Sequence, residues 1–196
     1  MPKVSEQHKE DRRAEILAAA RRCFVRNGFH RTSMQDVFAE AGLSAGAVYR
    51  YFPKKEDLIV GVAAQNLDRV AGVLRSVLSE TENERRVGAV LAKLLEAVLD
   101  QHRDNQLATI AVVVWSEALR DRALAEQLEA AARTMTGDLA ALVRDRQQAG
   151  SWTGAPAGDL AQVLLSILPG FLFNLALLGP SGVAGFPDAV RALWPE

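Results

Sequence analysis

With 196 residues the chain is long enough for one large domain, or for a small domain joined to a larger one. Its 49% hydrophobic and 24% charged residues supply both a sizeable core and a solvated surface. Cys23 is the only cysteine, which excludes an intrachain disulfide and a cysteine-rich metal centre and fits a reducing cytoplasm. The net charge of −1 conceals a split: residues 1–56 carry 11 Lys/Arg against 7 Asp/Glu, and residues 57–196 carry 12 against 17. The basic end is therefore the candidate for meeting an acidic polymer.

The opening MPKVSEQHKEDRR is polar and lacks the apolar core of a signal peptide. From Glu10 to Asn27, Ile16, Leu17, Ala20, Cys23 and Phe24 recur on one helical face, and Gly28 supplies a stop. Cys23 reads there as a small core residue. TSMQDVFAEAGLS, residues 32–44, holds a second helix: Ser33 and Asp36 have capping-box spacing, and Gly42 ends it. Ser44 then caps a third helix. Two short helices joined by a tight glycine turn form a helix-turn-helix signature.

The third helix, SAGAVYRYF, has the composition of a helix that enters the DNA major groove. Ala45, Gly46 and Ala47 allow close approach, and alanine can touch a thymine methyl. Gly46 costs about 1 kcal/mol of helix propensity against Ala, a loss that close contact with DNA would explain. Tyr49 and Tyr51 can donate to phosphates, and Arg50 can bind a phosphate or pair with guanine. Lys55 adds charge where free helix amides already favour an anion. Val48 and Phe52, four apart, face the core of the small domain. The alternative is that one tyrosine packs inward and that Arg50, Lys54 and Lys55 are ordinary solvated charges.

A fourth helix is expected from Lys54 or Lys55 to about Ser79, with others near 83–102, 104–120, 122–149, 157–178 and 186–194. IAVVVW, residues 110–115, is rich in β-branched residues but sits between helical segments and reads as helix. LAQVLLSILPGFLFNLALL, residues 160–178, is long enough to cross a bilayer. Its Gln162, Ser166, Pro169 and Asn174, and the lack of flanking Lys or Arg clusters, favour a buried or subunit-contacting helix; no membrane association is expected.

Residues 13–58 closely resemble the N-terminal domain of the TetR family of bacterial transcription regulators. ILAAARRCF, NGF, TSMQDVFAEAGLS, GAVYRYF and KKEDL occur in the family's order and spacing. Phe38 departs from the small residue usual there, and Pro53 with Lys54 from the small polar residue usual before the lysine. The resemblance implies an all-α protein: a three-helix helix-turn-helix DNA-binding domain over residues 1–53, and a larger helical effector-binding and dimerisation domain over 54–196. It implies that Thr32 and Ser33 lie near the DNA backbone and that Ser44, Ala45, Gly46 and Ala47 face the groove. Tyr49, Arg50, Tyr51 and Lys55 would make phosphate or base contacts, with Lys9, Arg12 and Arg13 as a possible arm. It also implies a homodimer through the last two helices, with Leu164, Leu168, Phe171, Leu172 and Leu175 as contacts, binding a near-palindromic double-stranded operator.

By the same resemblance, the helices between 57 and 149 would enclose a pocket for a small apolar or amphipathic effector. Trp115, Met135, Phe171 and Phe173 would line it, and Asn66, Thr109 and Asn174 would orient the ligand. These residues suit a packed core equally well. His30 and His102 are isolated, so no metal or other cofactor is expected. No GxSxG, HExxH, Walker loop or dinucleotide fingerprint is present, and no enzymatic activity is expected. The reading is a cytoplasmic homodimeric repressor released by a small molecule. The alternative is a helical adaptor that kept the fold without specific DNA binding.

Overall fold

The computed structural model describes residues 6–150, 152 and 154–194. The first five residues of the expected 1–53 domain, and positions 151 and 153 of the GSWTGAPAG loop, lie outside the described residues. Among the described residues all regular structure is helical: α1 (Glu6–Asn27), α2 (Met34–Ala41), α3 (Ala45–Tyr49), α4 (Lys55–Glu80), α5 (Val87–Asn105), α6 (Leu107–Ala118), α7 (Arg122–Gln148), α8 (Ala157–Gly182) and α9 (Phe186–Leu193). The β-branched IAVVVW segment lies inside α6.

Local chemistry sets the early boundaries. Ser33 and Asp36 form a full capping box: the Asp36 amide donates to Ser33 Oγ (3.2 Å) and the Ser33 amide to Asp36 Oδ2 (2.8 Å). These bonds hold the Asp36 carboxyl below its usual range. Gly42 closes α2 in the left-handed conformation at φ 66°. Ser44 caps α3 by accepting from the Ala47 amide at 3.3 Å. α3 spans only five residues, so Arg50 and Tyr51 stand in the turn just past it. Lys54 occupies the N-cap position of α4, where its amide donates to Asp57 Oδ2 at 3.0 Å.

Two apolar clusters form. The first gathers Ile16, Leu17, Phe24, Val37, Val48, Phe52 and Leu58, and it is completed by Ile110, Val114 and Leu124 from α6 and α7. Cys23 is fully buried in it, and burial raises its thiol pKa, so it is an inert core residue. The second cluster joins α4–α8, including Leu74, Leu95, Leu139, Leu168 and Leu175. α4 serves both: residues 58–63 lie in the first cluster and residues 70–77 in the second. Arg146, buried on α7, fastens the end of α4 by donating to the carbonyls of Thr81 (2.9 Å), Glu84 (3.0 Å) and Glu82.

Among the described residues, α8 is the helix long and apolar enough to cross a membrane, with an 18-residue window of mean hydropathy 1.9. One of its faces packs on α5, α6 and α7. Leu164, Leu168, Phe171, Leu172 and Leu175, expected at a dimer contact, are buried on that inward face within the single chain. That expectation is corrected. The opposite stripe, Val163, Ser166, Gly170, Phe173 and Leu177, is exposed. Both stripes are apolar, so helical spacing alone does not say which meets the chain's own core.

Candidate functional site

α3 projects from the first core on two buried anchors, Val48 and Phe52. Its opposite side carries Ser44, Ala45 and Gly46, all exposed, with Ala47 half-buried. A Cβ built on Gly46 would meet no atom within 4 Å, so nothing inside the chain requires glycine there. Tyr49 is 44% exposed and rests edge-on against Phe38, with ring centroids 5.2 Å apart. The large residue at position 38 thus props the tyrosine on the surface. Arg50 is exposed and makes no hydrogen bond or ion pair with the described residues. Tyr51 is half-buried beside it. Ala47, Arg50 and Tyr51 line a cleft of about 580 Å³ shared with His8, Lys9 and Arg12 of α1. Lys9 and Arg12 also pair with Glu6 (2.8 Å) and Glu15 (2.6 Å), whereas Arg13 stacks over Phe52 at 4.4 Å.

Two expected surface residues turn inward. Thr32 is 1% exposed, and its hydroxyl donates to Gly28 O (2.7 Å) and Cys23 O (3.3 Å). It ties the turn to the end of α1 and offers no donor to solvent, which corrects its reading as a surface contact. Lys55 Nζ donates to Phe29 O (3.0 Å) and His30 O (3.4 Å) and lies 4.4 Å over the Phe29 ring. Its charge is largely committed to that turn. Ser33 remains exposed at the start of α2.

The family model for bacterial regulatory proteins of the tetR family matches residues 16–62, which span the helices just described. Over its whole length the chain is similar to the structure of GusR from Salmonella enterica, at 26% identity and a TM-score of 0.72, with all of both chains covered. The chain thus resembles TetR-family regulators, in sequence over residues 16–62 and in fold over its whole length. Among curated relatives, the HTH-type transcriptional regulator YfiR of Bacillus subtilis is 37% identical over 103 residues, or 53% of this chain and 48% of YfiR. The HTH-type transcriptional repressor Rv1474c of Mycobacterium tuberculosis is 38% identical over 73 residues, or 37% of this chain and 39% of Rv1474c. The matched segments thus span half or less of these two relatives. The segment matched by the family model holds the helix-turn-helix formed by α2 and α3.

A cavity of about 350 Å³ lies between α4, α6, α7 and α8. Asn66, Trp115 and Met135 line it, as expected from the sequence. The Asn66 amide is already engaged, accepting from Arg21 Nη1 (3.2 Å) and donating to Leu107 O (3.3 Å). Thr109, Phe171, Phe173 and Asn174 do not line this cavity, which corrects their assignment. Phe171 packs in the core against Phe186 with centroids 5.8 Å apart, and Phe173 faces outward. Asn174 donates to Gly170 O within α8 at 2.8 Å, and Thr109 is half-buried elsewhere on α6. Sequence reasoning missed Leu128, Glu129, Leu165 and Pro169 as lining residues. Pro169 was the available signal: lacking an amide hydrogen, it leaves the Leu165 carbonyl without its helical donor. Among the described residues no cluster of His, Cys, Asp or Glu could hold a metal ion.

The cavity and the first apolar cluster share walls. Ala63 and Val114 line the cavity and also belong to the first apolar cluster. His30, in the turn after α1, reaches Glu117 at the end of α6 with Nε2 to Oε1 at 3.1 Å.

Proposed function

We propose that the chain is a homodimeric repressor that binds a near-palindromic operator through α3 and is released by a small apolar or amphipathic effector. Gly46 carries this reading. A glycine in an exposed helix, in an ordinary helical conformation and with no internal neighbour to avoid, is explained by something outside the chain that must come close. Ser33, Tyr49, Arg50 and Tyr51 would then reach phosphates or base edges around it, with Lys9 and Arg12 flanking the same cleft. The repressor name of Rv1474c favours repression as the sign. As a reader of bacterial DNA, the protein would act in the cytoplasm.

Release follows from the shared walls. A ligand entering between α4 and α6 presses on Ala63 and Val114, which support the DNA-facing half from below. His30–Glu117 ties α6 to the turn that precedes α2. A ligand that prefers one spacing of the two α3 helices shifts the population toward it, by no more than its differential affinity. The exposed stripe of α8 would meet its twofold copy, with Ser166 and Gly170 allowing close approach.

The test is fluorescence anisotropy with DNA upstream of the gene, across a salt series. Sequence-selective binding with a log–log salt slope of about −5 to −9 is expected for six to ten phosphate contacts. Arg50→Ala is expected to weaken binding by about 1–3 kcal/mol, and Gly46→Val by at least as much while the fold is kept. Weak, sequence-indifferent binding that neither substitution alters would favour the adaptor reading.

A further inference from the structure

A second polar site lies where the two halves meet. Arg21 of α1 is 7% exposed. Its Nη1 donates to Asn66 Oδ1 (3.2 Å) and to Asn105 O (2.8 Å), but its Nε and Nη2 are buried with no acceptor. Arg69 lies one turn beyond Asn66 on the same face of α4, and its Nη1 is also buried without a partner. Neither arginine has an ion-pair partner among the described residues. Burial, reinforced by the charge of Arg69, lowers the Arg21 pKa to about 10. Arg69 opens into a cleft of about 500 Å³ between α4 and α5, whose wall includes Ser76, Lys93 and Gln101. Glu80 and Asp100 also line that cleft, each paired with a cation: Glu80 with Lys93 at 2.7 Å and Asp100 with Arg103 at 3.1 Å.

Two guanidinium groups brought together, one of them buried, cost several kcal/mol unless an anion sits between them. The three orphan nitrogens, Arg21 Nε and Nη2 and Arg69 Nη1, are donors on two planar forks, the chemistry that a tetrahedral oxyanion accepts. We propose that Arg21 and Arg69 form a binding site for a phosphate-type oxyanion, entered through the α4–α5 cleft, which braces α1 against α4 and the α5–α6 turn. Asn66 touches both this site and the apolar cavity, so the oxyanion and the effector act on one shared amide. The oxyanion is then a second ligand coupled to the first.

The site is tested by thermal unfolding of the full chain in sodium phosphate, sodium sulfate and sodium chloride at matched ionic strength. Phosphate is expected to raise Tm with the logarithm of its concentration above Kd, by about 5–10 °C at a hundredfold excess. Arg69→Gln, at a half-exposed position, is expected to fold and to bind at least tenfold more weakly, and Arg21→Lys likewise. Arg50→Ala is expected to keep the full response, which separates this site from the DNA-facing surface. Glycerol phosphate distinguishes the sources: tighter binding than inorganic phosphate assigns the site to a phosphorylated metabolite, and equal or weaker binding to the free ion. A rise that is linear in salt concentration and unchanged in Arg69→Gln is general salt stabilisation and overturns the proposal, as does no rise at all. Because the readout is unfolding, failure of DNA binding leaves this result standing.

Discussion

Thr32 and His102 are polar side chains whose hydrogen bonds go to the chain's own backbone, and the two give different signatures when removed. Thr32→Val keeps the shape but leaves Gly28 O without its hydroxyl donor. It is expected to cost about 1 kcal/mol in denaturant unfolding while leaving DNA affinity within about twofold. A tenfold loss of affinity at unchanged stability would restore Thr32 to the interface. His102 is buried, and its Nδ1 accepts from the Ala108 amide at 3.1 Å, an arrangement that needs the neutral ring. Burial lowers its pKa below the usual value. The folded state therefore binds fewer protons than the unfolded state between that depressed value and about 6.5, and stability rises with pH across this window. The contribution is present above about pH 6.5 and lost as pH falls through the folded pKa. Melting temperatures from pH 7.5 to 5 are expected to fall less steeply in His102→Asn than in the parent chain.

Among the helices, those whose ends carry chemistry were legible in advance. Ser33, Asp36, Gly42 and Ser44 place α2 and α3 because caps act through neighbours three residues away, and the sequence records those directly. The face of α8 was not legible, since Leu168 and Leu172 differ from Phe173 and Leu177 only in what surrounds them. The cavity was half legible for the same reason: Asn66, Trp115 and Met135 converge while Phe171 and Phe173 turn elsewhere, and tertiary packing alone decides between them. Arg21 did leave a trace, since it falls four residues after Leu17 and three before Phe24, on the apolar face of α1. Helix-on-helix contact also fixes Gly88 in α5. A Cβ there would lie 2.5 Å from Trp194 O and 2.9 Å from Val190 O, both backbone atoms of the α9 segment. Gly88→Ala is expected to push α9 off α5 and lower stability by about 1–3 kcal/mol, despite the gain in helix propensity. Urea unfolding measures this directly.

For the whole molecule, the outward stripe of α8 exposes Phe173 and Leu177 at 52% and 68%. Phe173→Asp with Leu177→Asp is expected to give a monomer in sedimentation velocity with unchanged far-ultraviolet circular dichroism. Operator affinity is expected to drop by more than tenfold, because two tethered half-site contacts become one. A dimer that survives both substitutions would place the twofold axis elsewhere. Finally, the first core is not closed by its own helices: α4 runs on into the second core, and Ile110, Val114 and Leu124 complete the packing from beyond it. The DNA reader is therefore not a detachable cassette. Chimaeras that graft residues 1–53 onto another regulator's body would inherit a foreign floor under Phe24 and Leu58. Such swaps are expected to succeed only when the α6 and α7 residues beneath the reader are carried with it.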